Sequence, residues 1–321
     1  MSHRFYFIQH NLSGVEYFDS SSSTKSSKVV SSNDTYRNIQ SYLNKNILAD
    51  LYTLQNVETK TNSTNGKITI EKNKKKLIFE YEYNDIGKET YYIKNSASTI
   101  TIKNGCAVVY DSSKFTFMDS FDLNDFPYLC DYASPLVQLE DNKSKEILLV
   151  LSVETISPGP ISLVRSNRIK KIFDSLIKML ETFDRIFTKL DYNFSFIIGG
   201  DFKMNIFEPN LDDYNSSSVR KEEAKKIIDD SIKRLFTTFE NLDIEYDLDD
   251  SIDTIYTGDD LNNYHNCNDF IFKSKYLNTE ETQYGCNHQG SLPIWEDLSE
   301  LKDDFQHKSI NCLLELDKNY I

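Results

Sequence analysis

Ten consecutive residues constrain this chain more than any others: Phe194-Ser-Phe-Ile-Ile-Gly-Gly-Asp-Phe-Lys203. Aromatic and β-branched side chains from Phe194 to Ile198 predict a buried strand. Gly199 and Gly200 then let the backbone turn and leave room for another group to approach. Asp201 is thereby held at a strand end, where a fixed carboxylate has chemical use.

The rest of the chain alternates strands and helices around that run. Residues 5–9 read as a strand leading into His10-Asn11, and the Ser-rich stretch 20–32 reads as a flexible loop too polar to pack. Asn33-Asp34 offers a cap for a helix carrying Tyr36, Ile39, Tyr42, Leu43 and Ile47, and residues 49–57 follow as a buried strand. Between residues 67 and 121 polar and apolar residues alternate with turns between runs, which predicts hairpins with one wet face. The basic cluster Lys72 to Lys76 fits a solvated hairpin turn. A strand at 146–153 precedes Pro158-Gly159-Pro160. The longest helix then spans 161–190, with Val164, Ile169, Ile172, Phe173, Leu176, Ile177, Leu180, Phe183 and Phe187 on one face. A helix at 219–239, strands near 252–256 and 269–272, an irregular segment near 275–306 and a strand at 309–316 complete the order. This pattern predicts one domain over residues 1–321, with polar insertions near 19–33 and 209–218. Its fold class is α/β, a four-layer sandwich of two mainly antiparallel sheets flanked by helices.

Composition narrows the function classes. Fifty Asp and Glu against 36 Lys and Arg give a formal charge of −14, which disfavours broad nucleic-acid binding because phosphate neutralisation needs cations. No apolar run is long enough to span a bilayer, and the opening Met1-Ser-His-Arg lacks the flanks of a signal peptide, so an intracellular protein without a membrane partner is expected. The five cysteines lack a tight spacing pattern and fit a reducing compartment. Abundant Asn, Lys, Ile and Tyr point to AT-rich coding DNA of the kind some protists and giant viruses carry. No Gly-Lys-Ser/Thr phosphate loop, Gly-x-Ser-x-Gly elbow or EF-hand spacing is present.

The strand ending Gly-Gly-Asp-Phe resembles the Gly-Asp-Phe-Asn signature of the endonuclease/exonuclease/phosphatase (deoxyribonuclease I-like) superfamily. Further short matches spread the resemblance over nearly the whole chain. Asn11 matches an N-terminal metal-binding Asn, although a loop-capping Asn reads equally well. Residues 49–57 resemble a strand ending in Leu-Gln-Glu-Val, with Asn56 in place of the metal-binding Glu. Residues 148–155 resemble a strand ending in Thr-His-Leu, with Glu154 in place of the His. Lys203 replaces the signature Asn. Asn268-Asp269-Phe270-Ile271 resembles a late Asp-x-Ile motif, and Phe305-Gln306-His307 resembles Ser-Asp-His with Gln306 in place of Asp. Glu58 stands two residues beyond Asn56, about 7 Å further along an extended strand.

The resemblance implies an ancestral phosphodiester chemistry with Asp201, Asp269 and His307 at its centre and a divalent metal beside Asn11. Asn56, Lys203 and Gln306 each add one positive unit relative to the pattern, and Glu154 removes about one. The site thus gains the charge of a divalent ion, and Lys203 is expected to pair with Asp201 or Asp269 where the metal would lie. The leading expectation is a site degenerate for catalysis, no cofactor, and a role as a binding or structural component with a protein partner. The alternative is an active magnesium- or manganese-dependent phosphodiesterase, nuclease or phosphatase that recruits Glu58 or Glu154. A third reading is a zinc-stabilised interaction protein using His265, Cys267, Cys286 and His288, against which stands a core cysteine with loop polar residues.

Overall fold

The structure, a computed structural model, describes residues 3–12, 29–30, 38–45, 49–57, 63–72, 74–93, 99–155, 163–202, 206, 218–246, 269–284 and 310–316. In chain order the elements are β1 (His3–Asn11), β2 (Val29–Val30), α1 (Ile39–Lys45), β3 (Leu51–Gln55), β4 (Asn65–Lys72), β5 (Lys75–Ile93), β6 (Thr99–Asp111), β7 (Phe115–Phe121), β8 (Leu136–Asp141) and β9 (Ile147–Glu154). They continue with α2 (Leu163–Lys189), β10 (Phe194–Asp201), α3 (Ser218–Asn241), β11 (Ile244–Tyr246), β12 (Asp269–Ser274), β13 (Leu277–Tyr284) and β14 (Ile310–Leu316).

Side-chain alternation decides how these elements stack. Every residue of β9 is buried, yet Leu149, Leu151 and Val153 join one apolar cluster while Leu148 and Val150 join another. A strand buried on both faces lies between two layers. β10 splits the same way, Phe196 and Ile198 to one side and Ile197 to the other. The six-stranded sheet runs β11-β12-β10-β9-β8-β7, and its outer face is covered by α2 and α3 through residues such as Ile172, Phe173, Leu176, Ile228 and Leu235. The eight-stranded sheet runs β13-β14-β1-β3-β6-β5-β2, with β4 paired to β5. Its outer face packs Ile8, Tyr52, Leu54 and Val109 against Ile39, Tyr42 and Leu43 of α1. Phe5, Phe7, Leu51, Val108, Ile197, Ile271 and Leu314 fill the space between the sheets. The result is the four-layer α/β sandwich.

Strand direction then gathers particular residues. β1 and β3 are parallel with Asn11 opposite Gln55, β9 and β10 are parallel with Glu154 opposite Asp201, and antiparallel β12 sets Asp269 opposite Asp201. One end of the inter-sheet layer therefore carries the ends of five strands.

Several local expectations are corrected. Val164 is 79% exposed because it sits in the first turn of α2, before the helix reaches the sheet. The cap of α1 is Asn38, whose Oδ1 accepts from the backbone N–H groups of Gln40 and Ser41; residues 33–34 lie outside the described residues. Val29–Val30, within the stretch read as a loop, pairs with β5, and Leu277–Tyr284, within the stretch read as irregular, pairs with β14. β13 escaped notice because Thr279-Glu280-Glu281-Thr282 has no apolar alternation and a bulge breaks its register. The expected strand at 252–256 lies outside the described residues. The Lys72 to Lys76 cluster does form a hairpin turn, with Lys72 opposite Lys75 and Lys74 at φ 63°.

On β5, Tyr81 and Tyr83 belong to the outer cluster, so Glu80, Glu82 and Asn84 face the inter-sheet side. Glu82 is 8% exposed; burial, and then the neighbouring Glu80 charge, push its carboxyl from 4.5 up to about 7. The folded chain thus holds a proton that the unfolded chain releases at lower pH, so this group makes stability fall as pH rises from 4.5 through about 7. Glu82→Gln is expected to be more stable than wild type by about 1–2 kcal/mol near pH 8, with the difference gone near pH 4, as measured by urea unfolding at both pH values.

Candidate functional site

Where the five strand ends meet, polar side chains replace apolar ones at every second position. Gln9 and Asn11 continue the inward face of Phe5 and Phe7, Thr53 and Gln55 continue that of Leu51, and Ser152 and Glu154 continue that of Leu148 and Val150. Asp201 and Asp269 project from the facing sheet and are fully buried, as are Gln9, Asn11 and Gln55. Asn56 and Glu154 are also buried, at 3% and 7% exposed.

Two hydrogen-bond chains link these groups. In the first, Asn11 Nδ2 donates to Asp201 Oδ2, and Asn56 Nδ2 donates both to Asn11 Oδ1 at 2.8 Å and to Glu154 Oε1 at 2.7 Å. In the second, Gln9 Nε2 donates to Asp269 Oδ1 at 3.2 Å and to Gln55 Oε1 at 2.8 Å. Gln55 Nε2 then donates to Ser152 Oγ, and the Ser152 hydroxyl to the Leu54 carbonyl, both at 2.9 Å. The carboxylates fix the direction of each chain. A carboxylate accepts, so Asn11 turns its NH2 to Asp201 and its oxygen to Asn56; Asn56 then needs both of its N–H bonds, one for Asn11 and one for Glu154.

Local backbone geometry supports this placement. Asn56 has φ 54°, a left-handed conformation that Asn tolerates better than most residues, just past the end of β3. Leu12 N–H donates to the Gln55 carbonyl and Val57 N–H to the Gly105 carbonyl, tying down both sides of the turn. A Cβ at Gly199 would overlap Thr53 Oγ1, and one at Gly200 would overlap the Val153 carbonyl. Gly199 lets the two sheets approach closely enough for side chains to bond across the gap, and Gly200 lets β10 lie against β9 within its own sheet.

The structure brings together Asn11, Asn56, Glu154, Asp201 and Asp269. Lys203, Gln306, His307 and Glu58 lie outside the described residues, as do His265, Cys267, Cys286 and His288. Sequence reading missed Gln9, Thr53, Gln55 and Ser152. Their signal was present as polar residues at i, i+2 spacing within strands otherwise read as apolar and buried.

The divalent metal that the resemblance implies does not fit this donor arrangement. Magnesium needs about six oxygen ligands at about 2.0–2.1 Å in octahedral geometry. Here Asn11 Oδ1 and Glu154 Oε1 converge on an N–H2 group, and one Asp201 oxygen takes the Asn11 amide. Among the described residues no group of three His, Cys, Asp or Glu is arranged to hold a metal ion. No described helix is long and apolar enough to cross a membrane.

Two stability predictions follow from this geometry. Asn56→Gly keeps the positive φ but leaves Asn11 Oδ1 and Glu154 Oε1 without their donor, an expected loss of about 2–4 kcal/mol, and Asn56→Ala is expected to lose about 1 kcal/mol more; chemical denaturation of both variants separates the two contributions. Gly199→Ala is expected to destabilise by about 2–4 kcal/mol, and adding Thr53→Ala is expected to recover at least about 1 kcal/mol, measured as a double-mutant cycle.

No protein-family model matches the sequence, and no curated protein is similar to it. Solved structures are similar in fold. An endonuclease/exonuclease/phosphatase family protein from Bacteroides thetaiotaomicron superposes with TM-score 0.51 at 10% identity, covering 99% of this chain and 99% of that one. ANGEL2, a 2',3'-cyclic phosphatase solved with adenosine-2',3'-vanadate, gives TM-score 0.55 at 12% identity over 98% of this chain and 96% of that one. The AP endonuclease from Leishmania major gives TM-score 0.54 at 11% identity over 97% and 87%. With its paired sheets, its flanking helices and these similarities, the chain has the endonuclease/exonuclease/phosphatase, deoxyribonuclease I-like fold.

Proposed function

We propose that this protein is a non-catalytic member of that fold, in which the phosphate and metal site has become an internal amide–carboxylate network and the molecule serves as a binding or structural component for a protein partner. The observation that carries this reading is Asn56, which donates at once to Asn11 and Glu154. Phosphodiester hydrolysis needs a group that neutralises developing charge and a base with access to water. An N–H donor between two oxygens supplies neither. Burial adds support: Asp201 and Asp269 are both 0% exposed, whereas a scissile phosphate has to reach them.

Lys203, two residues beyond Asp201 in the sequence, adds to this reading a positive charge where the resembled pattern has Asn. Buried carboxylates that lack a cation are costly, and replacing Asn by Lys adds the missing charge. Gln306 removes a further negative charge from the pattern in the same sense.

Hydrolysis of single-stranded RNA, abasic DNA and bis-p-nitrophenyl phosphate, each with magnesium or manganese, tests the proposal. The expected result is turnover no greater than that of Asp201→Ala. Turnover that disappears in Asp201→Ala would overturn it in favour of an active metal-dependent phosphodiesterase or phosphatase.

A further inference from the structure

A second polar concavity adjoins this network through Ser134, whose Oγ accepts from the Ser152 N–H at 3.0 Å, and lies between β5 and the connection from β7 to β8. It has a volume of about 270 Å³ and is lined by residues that include Asn65, Glu82, Ser120, Asp122, Cys130 and Ser134. Asn84 holds its two walls together by donating to the Cys130 and Ala133 carbonyls, each at 2.8 Å. Glu82 and Ser134 lie at its buried depth, and Asn65 and Asp122 are exposed at its mouth. Among the described residues the Glu82 carboxyl has neither a hydrogen-bond nor an ion-pair partner, although the residue is 8% exposed. A carboxyl group without a protein donor, set in the wall of a concavity, leaves its oxygens open to a donor that enters there.

We propose that this cavity binds a small aliphatic ammonium ion, best a short diamine, with one ammonium on Glu82 and the other near Asp122. The side chains choose this class. Carboxylates at depth and mouth reject anions and favour cations. The Ser120 hydroxyl and the Asn65 amide offer acceptors, while Leu123, Ala133 and Pro135 give methylenes an apolar wall. A space of 270 Å³ equals roughly nine waters at about 30 Å³ each, too large for a bare ion and suited to a ligand of a few carbons. No described triad of metal-ligating side chains stands there.

The charges around Glu82 set the pH response. On β5 it neighbours Glu80, which is bound by Lys67 of β4 and by the Tyr110 hydroxyl of β6. Asp122 and Cys130 line the opposite wall, with Asp131 beside Cys130. Burial, and after it the Glu80 charge, favours the protonated form of Glu82, and Asp122 lines the opposite wall. An ammonium ion binds the ionised form, so affinity rises as pH rises through about 7 and levels off above it.

Calorimetric titration of the full chain with butane-1,4-diamine tests this, with butane-1,4-diol and calcium chloride as comparison probes. The expected result is saturable one-to-one binding of the diamine near pH 8, about tenfold weaker for each pH unit below 7, and at least about tenfold weaker in Glu82→Gln. Equal binding of the diol, preferential binding of calcium, unchanged affinity in Glu82→Gln, or no saturation by about 10 mM would each overturn it. Should Glu82→Gln fail to fold by circular dichroism, Asp122→Asn at the exposed mouth decides: a several-fold loss supports the site, and unchanged affinity overturns it.

Discussion

The two N–H bonds of Asn56 form the junction of the polar inter-sheet end. They join Asn11, and through it Asp201, to Glu154, so that carboxylates from two adjacent strands of one sheet are held by amides from two adjacent strands of the other. Because both ends of this chain are acceptors, each amide has one orientation that satisfies it. Rotating any one would set oxygen against oxygen in a water-poor layer, where such a clash costs more than in solvent. The network therefore fixes how the sheets meet, and it does so with donors that a metal-binding arrangement would have to displace.

The architecture makes this possible. An inter-sheet layer is apolar wherever opposed strands can interdigitate, as Phe7, Val108, Leu148 and Ile197 do. At the strand ends the alternation continues but the residues become polar, and most of the buried groups find partners across the gap, although Thr53 Oγ1 and Gln9 Oε1 do not. Gly199 lets Thr53 approach, and the parallel pairings of β1 with β3 and of β9 with β10 place Asn11, Gln55, Glu154 and Asp201 in one neighbourhood. Gln9 and Gln55 repeat the amide device for Asp269. The device recurs because an amide presents both a donor and an acceptor along one planar group, which suits relays between strands.

Much of the layer order was legible in the sequence, because helical and strand periodicities are local and strong in segments such as 163–189 and 194–201. The edges were less so: β11 and β13 are short or polar strands whose partners, β12 and β14, are set only by the assembled sheets. The site was half legible. Asn11, Asn56, Glu154, Asp201 and Asp269 were each singled out and the structure brings them together, but the direction of the Asn56 hydrogen bonds depends on cross-sheet geometry that no sequence window contains. Gln9 and Gln55 were passed over because a polar residue near a strand end reads locally as a solvated one, and only the second sheet shows it to be buried.

The account turns on whether the Asn56 amide stays between Asn11 and Glu154 when a divalent ion is offered. Side-chain amide resonances of 15N-labelled protein, followed during titration with manganese and with magnesium, report this directly. The account predicts that the Asn11 and Asn56 side-chain NH2 signals stay sharp and unshifted in millimolar metal. Stoichiometric manganese broadening of both signals, with matching shifts in magnesium, would contradict it.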